Sequence, residues 1–171
     1  MSRALDFSFD EVMRLSSIKR WAIVEMSQEQ SVAEHSYNVA MISMMLIDEV
    51  EEEGDVEAPE LFMSLFWSLV HDLPELLTGD IPTPAKKHMD LDKLDQENFP
   101  IYWEVKRRTM ITSTATIVKA ADCIDALQFA KKFCIDSRRE EIIKDIEDNL
   151  YAMLDKKGDV RVSQAVGRLL A

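Results

Sequence analysis

The chain has 171 residues, a length that favours one domain and suffices to bury most of its apolar surface in a single core. With 47 % hydrophobic and 30 % charged residues it reads as an ordinary soluble protein, and no apolar run approaches the ~20 residues of a membrane span. A formal net charge of −12 argues against long nucleic acid as the main partner, because displacing phosphate counterions needs a basic face. A small phosphorylated ligand stays compatible with it, since a few cations and a metal in one pocket can hold a phosphate.

The elements follow from apolar spacing. The opening residues soon turn acidic and lack the long apolar core of a signal peptide, which points to the cytoplasm. Ser8 and Asp10-Glu11 precede Val12, Met13 and Leu15, and residues 8–16 are expected to form a first helix. Ser31-Val32-Ala33-Glu34 is a capping box that opens a helix to about Glu52, with Gly54 ending the segment. Pro59 suits the first turn of a helix over residues 59–77, whose apolar residues surround it on nearly all sides; such a helix is expected at the centre of the core. Gly79-Asp80-Ile81-Pro82-Thr83-Pro84 cannot continue it and begins a turn-rich stretch to about Pro100. Helices over 101–111, 114–134 and 138–155 follow, then a short one with Val162, Val166 and Leu169 on one side. The reading is all-α, in one domain spanning 1–171. Met41, Met44 and Met45 are taken as core filler. Cys123 and Cys134 form no CxxC pair and are expected to be buried thiols.

Three histidines occur, His35, His71 and His88, and two lie on the most apolar helices. His35 shares a core-facing stripe with Val39, Ile42 and Leu46. His71, Asp72 and Glu75 fall within one arc of about 100° if residues 59–77 are a continuous helix. Burying those groups is costly without charge compensation, which either a hydrogen-bonded network or a divalent cation would supply. Asp122, on the apolar stretch Ile117–Ile124, adds an inward carboxylate from a third helix and favours the cation; Asp125, one turn on, is its competitor. Two imidazoles and two carboxylates suit zinc, manganese, iron or cobalt better than calcium.

The order His35, His71-Asp72, Asp122 resembles the H…HD…D pattern of the HD-domain phosphohydrolases, which are compact helical bundles with a central metal site. The surrounding segments are more specific: Arg20-Trp21, Ser31-Val32-Ala33-Glu34-His35-Ser36, His71-Asp72-x-x-Glu75, Leu77-Thr78-Gly79-Asp80-Ile81-Pro82-Thr83-Pro84-x-Lys86 and Val118-Lys119-x-Ala121-Asp122. They look like the YfbR-type 5′-deoxynucleotidases and the compact bacteriophage dATP triphosphohydrolases related to them. Two features look more like the phage enzymes: the short distance from Thr78-Gly79-Asp80 to Asp122, and Ala22-Ile23 after Arg20-Trp21.

The resemblance implies one divalent ion (zinc, cobalt or manganese) on His35, His71, Asp72 and Asp122, with room for a second ion such as magnesium on the substrate phosphates. It implies that Glu75 activates or positions the attacking water, with Asp80 as the alternative acid/base group. Arg20 and Lys86, with Lys87 beside it, would take phosphate; Trp21 would offer a face to the base or sugar, Ile23 would shape the base pocket, and Pro84 would press on the deoxyribose. The expected substrate is dATP, cleaved to deoxyadenosine and triphosphate, or a deoxynucleoside monophosphate cleaved to phosphate. The expected assembly is a homo-oligomer in the cytoplasm, the host's if the chain is viral.

Overall fold

The computed structural model describes residues 5–51, 58–110 and 112–171. Gly54, expected to end a helix, lies outside them. A short helix α1 (Phe9–Met13), capped by Ser8, runs into a 3-10 turn (Arg14–Ser17). Then come α2 (Val32–Glu51), α3 (Ala58–Val70), α4 (Glu75–Thr78), α5 (Thr83–Lys86), α6 (Leu91–Asn98), α7 (Pro100–Thr109), α8 (Ser113–Phe133), α9 (Arg139–Lys157) and α10 (Val160–Leu170). Among the described residues extended pairing is limited to isolated bridges, Lys19 with Ser31 and Met26 with Cys134. No helix among them is long and apolar enough to cross a membrane.

The capping box forms as the sequence predicts. Ser31 Oγ accepts from the Glu34 N–H at 3.2 Å, and the Glu34 carboxylate accepts from the Ser31 N–H at 2.7 Å. This fixes the start of α2 one turn before His35. From there α2 packs on α3, α8 and α10, and α8 packs on α9.

The central helix is α8 rather than the 59–77 segment. Twelve of its residues are buried, and Ala115, Ala120, Ala121 and Ala130 are small enough to let neighbouring helices approach closely. On α3, by contrast, Phe62 and Leu69 face outward, since three packed helices leave each of the outer two one open side. The same holds on α2, where Val39, Leu46, Ile47 and Val50 take the inner face. Met41, Met44 and Met45, expected in the core, stand exposed beside Tyr37. Cys134 is buried and Cys123 half-buried, both as free thiols.

The expected continuous helix 59–77 is broken, and Pro74 is the reason. In a straight helix its missing N–H and its ring would fall on the Val70 carbonyl. Instead α3 stops at Val70, and the Leu73 N–H takes that carbonyl at 3.0 Å. The Glu75 N–H bonds the Asp72 carbonyl at 3.0 Å, opening the short α4. Gly79 ends α4 with φ of 70°, a left-handed position that glycine fills without strain.

The expected turn-rich stretch 79–100 also holds a regular helix, α6. Asp90 caps it, accepting from the Lys93 N–H at 3.0 Å. Only Leu91 and Leu94 carry its apolar spacing, too short a signal to stand out from charged neighbours.

Candidate functional site

The break after α3 places His71 and Asp72 in a turn, aimed at the point where α2 and α8 face each other. His35 Nε2 lies 3.2 Å from Asp122 Oδ1 and 3.5 Å from Asp72 Oδ2; His71 Nε2 lies 3.3 Å from the same Asp72 oxygen. Ligand atoms of His35, His71 and Asp122 all fall within 4.8 Å of one another. The structure thus brings together four residues from three separate parts of the chain.

The ring nitrogens turned away from this point are engaged. His35 Nδ1 meets Asp125 Oδ2 at 2.6 Å, and His71 Nδ1 meets the Ser68 carbonyl at 2.8 Å. Both Nδ1 atoms therefore carry the proton and both Nε2 lone pairs look inward. Neither Nε2, though buried, makes a hydrogen bond. Two lone pairs and two carboxylates facing one gap are four acceptors without a donor, an arrangement that asks for a cation. The residues fit a metal in spacing too. Ligands at about 2.0–2.1 Å around a tetrahedral ion lie about 3.3 Å apart.

Electrostatics agree with that reading. Burial would raise the Asp72 and Asp122 carboxyls, but His71 and His35 beside Asp72, and Lys119 and His35 beside Asp122, hold both well below the usual carboxylate range. Burial works against protonating His71, yet Asp72 outweighs it and raises the imidazole. Without a metal, a proton is the cation this cluster would attract.

Asp125 is a residue whose part sequence reasoning did not identify. It is buried, and besides His35 it accepts from Gln30 Nε2 and Asn38 Nδ2, each at 2.8 Å. Its carboxylate stands behind His35, on the ring nitrogen turned away from the gap, a place where metal-binding histidines commonly have one. The visible signal was the i, i+3 spacing from Asp122, which puts the two carboxylates on neighbouring faces of α8. Tyr102 was missed as well. It is fully buried on α7, and its hydroxyl donates to the His71 carbonyl, which the helix break leaves without a helical partner.

A cleft of about 310 Å³ opens over the cluster. His71, Asp72 and Asp122 form its floor, and Arg20, Glu75, Lys86, Lys106 and Lys119 contribute charge to its walls. The Glu75 carboxyl is pushed up to about 8, first by burial and then by Asp72, against the pull of Lys86. One of its oxygens accepts from Lys86 Nζ at 3.3 Å and the other is buried without a partner. A carboxyl that exchanges a proton near neutral pH beside a metal site suits acid/base work. Arg20 Nη1 is also buried without a hydrogen bond, 4.0 Å from Asp125.

Other expected site residues lie elsewhere. Trp21 stacks on Phe129 with 6.0 Å between ring centroids and donates to Gln30 Oε1 at 3.0 Å. Ile23 and Pro84 are exposed, and none of the three lines the cleft. Asp80 also lies off the cleft wall and accepts from the Trp21 N–H at 3.2 Å. Trp21 itself sits at φ of 68°, a strained conformation for a bulky residue. Lys87 and His88 are exposed.

Comparison with known proteins agrees with this geometry. A dATP triphosphohydrolase of Salmonella phage PMBT28 is 35 % identical over 127 residues, covering 68 % of this chain and 62 % of the relative. One from Acinetobacter phage SH-Ab 15497 is 29 % identical over 142 residues, 72 % of this chain and 66 % of the relative. A 5′-deoxynucleotidase of Enterobacter sp. (strain 638) is 36 % identical over 80 residues, 46 % of this chain and 39 % of the relative. The chain therefore spans less than two thirds of the length of the relatives it matches. Among solved structures, the cyanophage S-2L HD phosphohydrolase DatZ, bound to dA and one catalytic Zn²⁺ ion, superposes with a TM-score of 0.81. It shares 24 % identity over 95 % of this chain and 94 % of that one, and so establishes the fold. Residues 7–97, more than half of the chain and including His35, His71, Asp72 and Glu75, match the model of one family. The chain belongs to the 5′-deoxynucleotidase YfbR-like family.

Proposed function

We propose that this chain is a metal-dependent phosphohydrolase of small deoxynucleotides, acting on dATP to release deoxyadenosine and triphosphate. The observation that carries the proposal is the gap between His35, His71, Asp72 and Asp122, which holds four acceptors and no donor beneath a cleft walled by Glu75, Arg20 and Lys86. The similarity to phage dATP triphosphohydrolases supports the choice of substrate.

Zinc, cobalt or manganese at this point would supply a Lewis acid that withdraws charge from the phosphate oxygens. The protein's own groups do the rest. His35 and His71 are held in one tautomer each by Asp125 and the Ser68 carbonyl, so the site needs no rearrangement to receive a cation. Glu75 takes a proton from water attacking the α-phosphorus, and the nucleoside 5′-oxygen leaves with a proton. Arg20 and Lys86 offer charge to the phosphate chain, with Arg20 suited to grip two oxygens at once. Asp80 serves Arg20 through the neighbouring Trp21 N–H rather than moving a proton itself.

A second reading, hydrolysis of deoxynucleoside monophosphates, is favoured by the family match itself. Both activities break the same P–O bond and differ in whether β- and γ-phosphates find room and charge. Metal-loaded protein incubated with a panel of dNTPs, NTPs and dNMPs, with products resolved by chromatography, separates them. The expected result is deoxyadenosine and tripolyphosphate in one step from dATP, with no dADP or dAMP. Strong dAMP hydrolysis without activity on dATP would return the protein to the monophosphatases.

For the assembly we propose a homo-oligomer working in the cytoplasm. Tyr37, Met41, Met44 and Met45 on α2 and Phe62 and Leu69 on α3 offer apolar surface to a second copy. Light scattering on the wild type and on Met44→Glu tests it, a smaller particle being expected for the variant.

A further inference from the structure

Lys119 stands on α8 one turn before Asp122. Its ammonium donates to Asp122 Oδ2, while Oδ1 of the same carboxylate faces His35 Nε2 at 3.2 Å. One oxygen of Asp122 is thus turned to the metal gap and the other to a lysine. The flanking positions Ile117, Val118, Ala120 and Ala121 are buried, whereas the Lys119 side chain is 55 % exposed and lies on the cleft wall. Packing does not require it there.

The other cations of the cleft differ in how free they are. Lys106 is tied to Asp95 at 2.7 Å and to Asp92 at 2.9 Å, so two carboxylates already neutralise it. Lys86 is shared with Glu75 at 3.3 Å. Lys119 is paired with Asp122, the same carboxylate whose other oxygen faces the metal gap. A divalent ion on Asp122 would take that same charge. Lys119 would then be a cation beside a cation, with a partner whose negative charge is already used. An anion lying over both is what relieves the repulsion.

We propose that Lys119 is a phosphate-binding residue, its ammonium passing from Asp122 to a phosphate of the substrate once a divalent cation occupies the Asp122 carboxylate. The proposal rests on the phosphohydrolase reading and deepens it. It also makes metal loading a precondition of tight phosphate binding. Before metal arrives, Lys119 is spent on Asp122.

This role carries a sign that a structural one would not. A lysine that merely buttresses Asp122 would weaken metal binding when removed. A lysine that competes with the metal for Asp122 would strengthen it. The test uses the full chain as the wild type, Lys119→Gln and Lys119→Arg. Metal-free protein is titrated with Zn²⁺ against a competing chelator, and metal-loaded protein is then titrated with inorganic tripolyphosphate by calorimetry. Lys119→Gln is expected to bind Zn²⁺ more tightly than the wild type. It should bind tripolyphosphate about tenfold or more weakly, the weight of one charge-assisted hydrogen bond. Lys119→Arg should restore most of the tripolyphosphate affinity. Weaker Zn²⁺ binding in Lys119→Gln, or unchanged tripolyphosphate affinity, would overturn the proposal. Nucleotide turnover by the wild type, followed in parallel, keeps the two readings apart. Turnover with an unaffected Lys119→Gln variant sinks the role of Lys119 alone, whereas wild-type protein that binds no phosphate sinks both.

Discussion

His35 Nδ1 lies 2.6 Å from Asp125 Oδ2, deep in the bundle, with the imidazole wholly buried and the carboxylate nearly so. The contact orients the ring and makes the inward nitrogen a better donor to a metal. Asp125→Asn is expected to fold and to bind Zn²⁺ about 10–100-fold more weakly, the usual cost of losing such a partner. Chelator competition measures it. Undiminished affinity would mean that α2 packing alone aims the ring.

His71→Ala and Asp72→Ala should each lose bound metal and nearly all turnover, since both project into the gap from the turn after α3. Elemental analysis of the purified variants decides the matter. Full occupancy in both would dismiss the proposed centre.

Glu75→Gln should keep the metal and lower kcat by about 10²–10⁴-fold, the range of a general acid/base. Loss of metal would make Glu75 a ligand instead. Stability should respond as well in the metal-free protein. Unfolded, this carboxyl titrates near 4.5; folded, at about 8, so the native state holds the proton more firmly. The stability it lends is complete below pH 4.5 and is lost as pH rises to about 8. Denaturant midpoints across that window should fall for the wild type and stay flatter for Glu75→Gln.

Tyr102→Phe tests how the turn is held. Without the hydroxyl, the His71 carbonyl is left buried and unpaired. The expected cost is about 1–3 kcal/mol of unfolding free energy, with an unchanged denaturant slope. An unaltered midpoint would show that water replaces the hydroxyl.

Much of the site was legible because its residues break local rules. A histidine in an apolar stripe and carboxylates on apolar helices conflict with burial unless something pairs them, and that conflict marked His35, His71, Asp72 and Asp122. The all-α fold and the α2 cap were equally plain, since both are written in spacing. The break at Pro74 was obscured by apolar periodicity running through it. Asp125 and Gln30 lie far apart in sequence, so their pairing depends on how α8 meets the loop before α2. Outward Met41, Met44 and Met45 could not be told from core, because composition does not say which side of a helix has a neighbour. The packing of Trp21 on Phe129 was hidden too, since only the docked helices create that contact.

The four residues of the gap come from α2, from the turn after α3 and from α8, which otherwise meet through side-chain packing. An ion bound there would act as a rivet through all three. Its binding energy would be added to the folding free energy, by about 2.7 kcal/mol when free metal stands at 100 times its dissociation constant. The amount of intact protein in a cell would then track metal supply. Starving the cell of that ion would expose the chain to proteases as well as idle its chemistry, so that abundance and activity would fall together.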